Sequence, residues 1–250
     1  MLSRVSFKVN NNIKVDAVIF DKDGTLLEFD KFWVKVSQKA IESVLKNLQV
    51  NEDFENAILQ AIGVNDGITD INGILCKGTY LQIAEEICKI LNKNGYSFDL
   101  DIVEKEVISE YNKSQSIGEV VPTTPKLKEL LMRLKSQNVR LAIVTTDNEY
   151  VTRKCLNKLG VDGIFDKIYT DDGKTPVKPN PYCVFDFCKA FNLEKENVLM
   201  VGDTLTDVEF AKNAGIKVVG VAKHTQNRKI LQGQADIVID DLSSILQIIN

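Results

Sequence analysis

The chain of 250 residues is poor in histidine and in closely paired cysteines, which many hydrolases and zinc proteins require. It has one histidine, His224, and no G-x-S-x-G segment, so a serine-hydrolase or cysteine-protease mechanism lacks its usual base and nucleophile turn. Its five cysteines include no CxxC pair. This pattern disfavours a zinc site of thiolates and imidazoles, and it favours reduced cysteines in a cytoplasmic protein.

The sequence also has no apolar run of the length that crosses a bilayer and no excess of basic residues. A net charge of −4 and a pI near 5.3 argue against a general nucleic-acid binder. The first ten residues are too polar for a secretory signal and predict a short strand, with Asn10–Asn12 as a turn. We therefore expect neither a nucleic acid nor a membrane as partner, whereas the oligomeric state stays open, a monomer included.

What the chain does have is a series of short runs rich in valine and isoleucine, which are typical of strands buried on both faces of a sheet. Amphipathic stretches with helical spacing separate them. The alternation predicts a mostly parallel sheet with helices on both faces. The runs are residues 15–20, 139–145, 165–169, 198–201, 218–221 and 237–239.

Local signals predict where two helices of this region begin or end. Thr124 is a candidate N-cap, with Pro125 at the first helical position. Gly215 follows an apolar stripe that includes Val208 and Ala211, so it predicts a helix end.

Residues 30–120 show only helical periodicity. Apolar positions follow one face of a helix behind Asp30, of a second helix before Gly95 and of a third behind Asp99. We therefore predict an inserted all-helical domain at 30–120, and an α/β core domain formed by 1–29 and 121–250.

Two carboxylates stand at the end of the first apolar run, in Val18–Leu27. Asp21 and Asp23 are two residues apart, and such positions on a strand point to the same side. Ligands bind at the carboxyl ends of the strands in open α/β sheets. Two acids at that place imply a metal, a proton role or a phosphate.

Three further groups of polar residues lie at predicted strand ends or in the loops beyond them. Residues 141–144 end in the hydroxyls of Thr145 and Thr146. Lys178 lies in a loop stiffened by prolines, and the third run ends in Gly202, Asp203 and, shortly after, Asp207. Because the carboxyl ends of parallel strands share one rim of the sheet, we expect these residues to meet there.

The order DxDGT, then an apolar run ending in Thr, then K-P-x-P, then GDxxxD resembles the haloacid-dehalogenase superfamily of phosphohydrolases, and in length and insert its phosphoglycolate phosphatase-like members. The resemblance implies a Rossmann-like, doubly wound parallel sheet with a cap inserted between the first two motifs. It also implies that Asp21 and Asp203 bind Mg²⁺ through side chains, Asp23 through its backbone carbonyl, and Asp207 directly or through water.

The same resemblance implies roles around the phosphate. Thr145 would hold the phosphoryl oxygens, and Lys178 would offset the charge between Asp21 and the phosphate. The backbone N–H groups of Gly24 and Thr146 would point at the phosphate.

Elementary chemistry agrees with this assignment. Phosphoryl transfer needs an oxygen nucleophile, and the Asp21 carboxylate can form an aspartyl-phosphate. Asp23 can protonate the leaving oxygen and then deprotonate the attacking water. Carboxylate and carbonyl oxygens are the ligands that Mg²⁺ prefers.

Structural interpretations compete with these roles. Asp203 could cap the helix that follows it, and Asp207 would be favourable in a first helical turn without any metal. Lys22, which stands where many cap-bearing members have an apolar or aromatic residue, should point away from the two acids and contribute to packing. Surface turns are the expected place of the other nearby acids, Asp147, Asp171 and Asp172.

We therefore expect a Mg²⁺-dependent phosphatase whose partner is a small-molecule phosphate ester. One alternative is a sugar phosphomutase resembling β-phosphoglucomutase, which shares the core, the cap and both acids. The other is a catalytically idle protein that only binds a phosphorylated ligand. The sequence leaves the substrate itself open.

Overall fold

The computed structural model describes residues 14–249, without the side chains of Glu52 and Gln226. The predicted N-terminal strand and the turn at Asn10–Asn12 lie outside the described residues. Within them the chain forms two compact units, one of residues 28–121 and one of the flanking segments. The division into a core domain (residues 1–29 and 121–250) and a cap domain (residues 30–120) stays a prediction.

One strand precedes residues 28–121 in the described chain, and strands alternate with helices after them. In the described part of the chain the strands are β1 (Ala17–Phe20), β2 (Val64–Asn65), β3 (Ile68–Thr69), β4 (Arg140–Val144), β5 (Lys167–Tyr169), β6 (Val198–Gly202), β7 (Lys217–Val221) and β8 (Ile237–Ile239). The α-helices are α1 (Phe29–Asn47), α2 (Glu55–Ala61), α3 (Ile74–Lys77), α4 (Tyr80–Lys93), α5 (Leu100–Ser114), α6 (Leu127–Ser136), α7 (Glu149–Leu159), α8 (Tyr182–Phe191), α9 (Leu205–Ala214) and α10 (Thr225–Leu231). Short 3₁₀ helices lie at Glu52–Phe54, Gln115–Ile117, Asp162–Ile164, Lys195–Asn197 and Leu242–Gln247.

Six parallel strands form one sheet in the order β5-β4-β1-β6-β7-β8. When only the six strands of this sheet are numbered along the chain, their order is that of a doubly wound Rossmann-like sheet. The predicted α/β fold class is therefore confirmed. In the register of the central strands, Phe20 lies beside Ile143 on β4 and Val201 on β6. From β4 the chain continues to β5 on one side of β1, and from β6 it continues to β7 and β8 on the other side. The gap between β1 and β6 is therefore the point at which the topology switches direction.

Both faces of the sheet are buried, as the apolar runs predict. Alternate residues of β1 enter two separate cores, with Val18 and Phe20 on one face and Ala17 and Ile19 on the other. The first core includes leucines of α6, and the second includes apolar side chains of α8 and α9. This double burial holds the strand ends in fixed positions.

The predicted start of α6 is wrong, whereas the end of α9 is confirmed. Helix α6 begins at Leu127 behind Lys126, without a side-chain cap, because Thr124 is used in a turn in which its carbonyl accepts from the N–H of Leu127. Gly215 follows α9 in the left-handed conformation, as a helix-ending glycine does.

The unit of residues 28–121 is largely helical, and α1 packs against α5 within it. The prediction that it is all-helical is wrong, since β2 and β3 form a small antiparallel hairpin. Its turn is Asp66-Gly67, both at positive φ, and Asp-Gly is a strong signal for a two-residue hairpin loop. Asp30 lies in the first turn of α1 and accepts hydrogen bonds from the N–H and hydroxyl of Thr69. None of the described helices is both long and apolar enough to span a membrane.

Candidate active site

The polar residues predicted to meet do so at the carboxyl ends of β1 and β6. Asp21 directly follows β1, and its N–H donates to the carbonyl of Val201 at 2.9 Å. Gly202 ends β6, and Asp203 follows it. Both acids therefore stand at the switch point of the sheet, where the diverging loops leave room for a ligand.

A buried lysine joins two of the aspartates. The Lys178 ammonium lies 2.5 Å from Asp21 Oδ1 and 2.7 Å from Asp207 Oδ1. Its side chain is only 4% exposed, so Lys178 is buried although it lies in a loop. Attraction to two carboxylates is strong enough here to raise the pKa of Lys178 even though burial itself lowers it, so the ammonium stays charged.

Three carboxylates form a group that could hold a metal ion. Oxygens of Asp21, Asp203 and Asp207 lie within 4.8 Å of one another. Asp203 Oδ1 accepts a hydrogen bond of 3.1 Å from the hydroxyl of Thr25. Thr25 is itself fixed, since its carbonyl accepts from Thr123 Oγ1 at 2.5 Å. The site thus orients one of its acids through two buried threonines.

Two glycines allow these carboxylates to approach the strand ends. A Cβ atom on Gly24 would lie 2.1 Å from Asp203 Oδ2, and one on Gly202 would lie 2.4 Å from Asp207 Cγ. The Gly24 N–H donates to the Leu27 carbonyl at 2.7 Å. The prediction that this N–H points at a phosphate is therefore corrected, because the N–H closes the turn and Gly24 serves to leave space for Asp203.

Asp207 supports the start of α9, whereas its contact with a metal stays a prediction. Its Oδ2 accepts from the N–H of Thr204 at 3.1 Å, and Thr204 Oγ1 in turn caps α9. Thr204, and not Asp203, is the N-cap, so the capping interpretation of Asp203 is wrong. Asp207 therefore stabilises the helix start with one oxygen and contacts Lys178 with the other.

The mutual proximity of the acids changes their proton affinity. Burial, together with the charges of Asp207 and Asp23, raises the pKa of Asp21 to about 7 against the opposing effect of Lys178. Burial, Asp21 and Asp207 raise the pKa of Asp203 well above its ordinary value. Negative charge is thus unfavourable in the bare site, and a bound cation would relieve it.

Thr145 lies where β4 ends, and it is buried. Its N–H continues the sheet by donating to the Tyr169 carbonyl at 3.0 Å. Its Oγ1 accepts from the N–H of Asp147 at 3.2 Å, so the hydroxyl proton is the group it can offer to a ligand. Thr146 follows on the exposed part of the loop.

Lys22 differs most from its prediction. Its side chain is completely buried, and its ammonium lies 2.6 Å from Asp23 and 2.9 Å from Asp147. Strand alternation fails because β1 ends at Phe20, so residues 21–23 belong to the bend beyond it. Asp147 is accordingly not a surface turn residue, whereas Asp171 and Asp172 are exposed and accept turn hydrogen bonds, as predicted.

The structure thus brings together side chains of three motifs, and Thr145 of the remaining motif lies at the end of the neighbouring strand β4. Sequence reasoning overlooked Thr25 and the pairing of Lys22 with Asp147. For Thr25 the signal was available in the DxDGT motif itself. For Lys22 the signal was a charged residue at a position that alternation assigns to the core.

Comparison with known proteins gives one family. Residues 15–215 match the family model described as haloacid dehalogenase-like hydrolase. The chain is 29% identical over 202 residues to a phosphoglycolate phosphatase of Aquifex aeolicus, covering 80% of this chain and 81% of that protein. It is 26% identical over 239 residues to the pyrophosphatase PpaX of Bacillus mycoides, covering 95% and 98% of the two chains.

A solved structure shares the fold. The crystal structure of a predicted phosphoglycolate phosphatase from Haemophilus somnus 129pt superposes with a TM-score of 0.71 at 24% identity. The match covers 94% of this chain and 98% of that one.

We expect Gly24→Ala to weaken cation binding, because its Cβ would displace Asp203. Gly160→Ala is the matched control, since Gly160 also has positive φ but a Cβ there meets no atom within 4 Å. Both variants should lose about 1–3 kcal/mol of stability to backbone strain. Titration with Mg²⁺ in a calorimeter should show at least about tenfold weaker binding for Gly24→Ala only. Equal affinities in both variants would contradict the close approach.

The raised pKa values predict how the stability of the metal-free protein depends on pH. A carboxyl whose pKa is higher in the folded state stabilises that state below the unfolded pKa of 3.8, and this stabilisation is lost as pH rises through about 7. In EDTA the melting temperature should therefore be roughly 2–5 °C lower at about pH 8 than at about pH 5. Asp203→Asn should reduce this difference, and Mg²⁺ should raise the melting temperature more at the higher pH. A melting temperature that rises with pH in EDTA would contradict the assignment.

Proposed function

Because this chain belongs to the haloacid dehalogenase-like hydrolase family, we propose that it is a Mg²⁺-dependent phosphatase acting on a small phosphate monoester. The observation that carries the proposal is the Lys178 ammonium shared by Asp21 and Asp207 beside Asp203. This arrangement supplies a carboxylate nucleophile, a fixed positive charge and a group of hard oxygen ligands at one strand end.

The residues present fit a magnesium ion. Five aspartates surround two lysines here, which leaves an excess of negative charge, and the pKa of two of the acids is raised. Asp21 and Asp203 would hold the ion through side chains and Asp23 through its backbone carbonyl, with Asp207 binding directly or through water. When bound, the ion supplies positive charge that keeps Asp21 ionised and neutralises the phosphoryl oxygens.

Asp21 acts as the nucleophile in this proposal. Its carboxylate oxygen attacks phosphorus, a bond forms between that oxygen and phosphorus, and the bond to the leaving oxygen breaks. The hydrogen bond from Lys178 holds the carboxylate in place and offsets charge as phosphate approaches. The hydroxyl of Thr145 donates to a phosphoryl oxygen, and the N–H of Thr146 is a second donor on the same loop.

Asp23 carries the proton. It gives a proton to the leaving oxygen as the first bond breaks, and it takes one from the water that attacks the aspartyl-phosphate. Inorganic phosphate then leaves, and the Asp21 carboxylate and protonated Asp23 are restored. The charge of Asp23 contributes to the raised pKa of Asp21, which supports a shared role for the two acids.

The substrate is proposed only as a class. The relatives named above include a phosphatase of phosphoglycolate and a pyrophosphatase, so similarity does not select one leaving group. We assign that choice to residues 28–121, acting as a cap. The residues of the rim determine the chemistry at phosphorus, and the leaving group requires recognition by other parts of the chain.

Phosphate release from a panel of metabolite monoesters tests the proposal. With Mg²⁺ the wild-type protein should release phosphate continuously, and Asp21→Asn should lower kcat/KM by about a thousandfold or more because it removes the nucleophile. EDTA should abolish release, and added Mg²⁺ should restore it.

The matched control is Asp171→Asn, which changes an exposed turn acid and should leave the rate unaltered. Full activity of Asp21→Asn, or release at the full rate without a divalent ion, would contradict the proposal. Interconversion of sugar phosphate isomers without net phosphate release would identify a mutase instead.

A further inference from the structure

A second buried lysine lies beside the proposed reacting centre and has no part in the steps above. Lys22 is completely enclosed, and its ammonium contacts Asp23 Oδ2 at 2.6 Å and Asp147 Oδ2 at 2.9 Å. Both carboxylates are largely buried, with side-chain exposures of 13% and 15%. The three side chains therefore form a chain of ion pairs, here called the Lys22 bridge.

Packing alone does not account for a charged residue at this position. Transferring an ammonium out of water costs several kcal/mol, and apolar side chains of similar volume often replace buried ion pairs without loss of stability. The Lys22 ammonium is instead compensated by the two carboxylates that it contacts at 2.6 and 2.9 Å. Its charge therefore serves the acids it contacts.

Asp147 is an anchored end of the bridge. Its N–H donates to Thr145 Oγ1 at 3.2 Å, and its carbonyl accepts from the N–H of Asp171 at 2.9 Å. Thr145 is itself tied to β5 through the carbonyl of Tyr169. Because the loop is held at these points, an ion pair to Asp147 fixes the Lys22 ammonium and, through it, the Asp23 carboxylate.

We propose that Lys22 is a positioning residue that holds the Asp23 carboxylate in the orientation from which it transfers the proton to the leaving oxygen. The inference rests on the proposed function, since it assumes the proton role of Asp23. An ammonium only donates hydrogen bonds, so the oxygen that faces it, Oδ2, acts as an acceptor. The transferred proton is accordingly assigned to Oδ1, and Lys22 keeps the two oxygens from exchanging places.

The dependence of the rate on the leaving group separates this role from simple stabilisation. An alkyl phosphate leaves as a strongly basic alkoxide and needs the proton, whereas p-nitrophenyl phosphate leaves as a stabilised phenolate and does not. A change that only loosens the fold lowers kcat/KM for both substrates alike. A change that misplaces the proton donor lowers it selectively for the alkyl ester.

The test compares variants on p-nitrophenyl phosphate and on the alkyl phosphate that the wild type hydrolyses fastest. The double variant Lys22→Met/Asp147→Asn removes the bridge without leaving Asp147 as an unpaired charge. We expect its kcat/KM to fall about 10- to 100-fold on the alkyl ester and less than about threefold on the aryl ester. Melting temperatures and circular dichroism establish that the variants are folded.

A mutant cycle with Asp23→Asn shows whether Lys22 acts through Asp23. Asp23→Asn alone should lower kcat/KM on the alkyl ester by about 10²–10⁴-fold. Adding Lys22→Met/Asp147→Asn to it should cause almost no further loss, because the group that Lys22 positions is already gone. Lys135→Met is the matched control, because it breaks an ion pair of 2.6 Å with Asp166. The Asp166 carboxylate accepts from the N–H of Leu141 near the start of β4, at the opposite end of that strand from the rim.

Three results would overturn the inference: equal losses on the two esters, additive losses in the Asp23→Asn background, or the same selective loss in Lys135→Met. A failure of the proposed function looks different. If Asp23→Asn itself affects both esters equally, Asp23 does not carry the proton, and the role of Lys22 falls with it. If Asp23→Asn is selective and the bridge variant is not, only the inference about Lys22 is wrong.

Discussion

The Lys178 ammonium between Asp21 and Asp207 is the interaction on which the rest of the site depends. It is buried, so water does not screen it, and removing the lysine would leave carboxylates whose charges repel at short range. It connects the loop before α8 to the ends of β1 and α9, three segments that are far apart in the chain. The same contact holds the proposed nucleophile still, which links the stability of this region directly to its chemistry.

The site remains short of positive charge in spite of its two lysines. Each lysine is shared by two aspartates, and Asp203 lies among them with a hydroxyl of Thr25 as a neutral donor. A protein that needed only stability would replace some of these acids. Their presence close together, with raised pKa values at Asp21 and Asp203, fits the proposal that a cation and a phosphate share the site.

Local sequence signals predicted the sheet and the end of α9 well, but they missed the start of α6 and the hairpin. Runs of valine and isoleucine marked each strand because a strand buried on both faces has few alternatives. Thr124 was misread as a cap, and the hairpin at Asp66-Gly67 was overlooked among helices. In both cases the choice between turn, cap and strand depends on which neighbouring backbone groups are available, and a short segment does not contain that information.

Residue order and composition were enough to predict the motif order, the α/β class and the identity of the acids and the lysine that meet at the rim. Those inferences need only periodicity, and the rule that parallel strands end on one side of the sheet. The pairing of individual atoms is visible only in the folded chain. There Gly24 leaves space for Asp203, Asp207 contacts both the start of α9 and Lys178, and Lys22 joins Asp23 to Asp147. Such pairings depend on distances between segments far apart in sequence, which are set when the whole sheet packs.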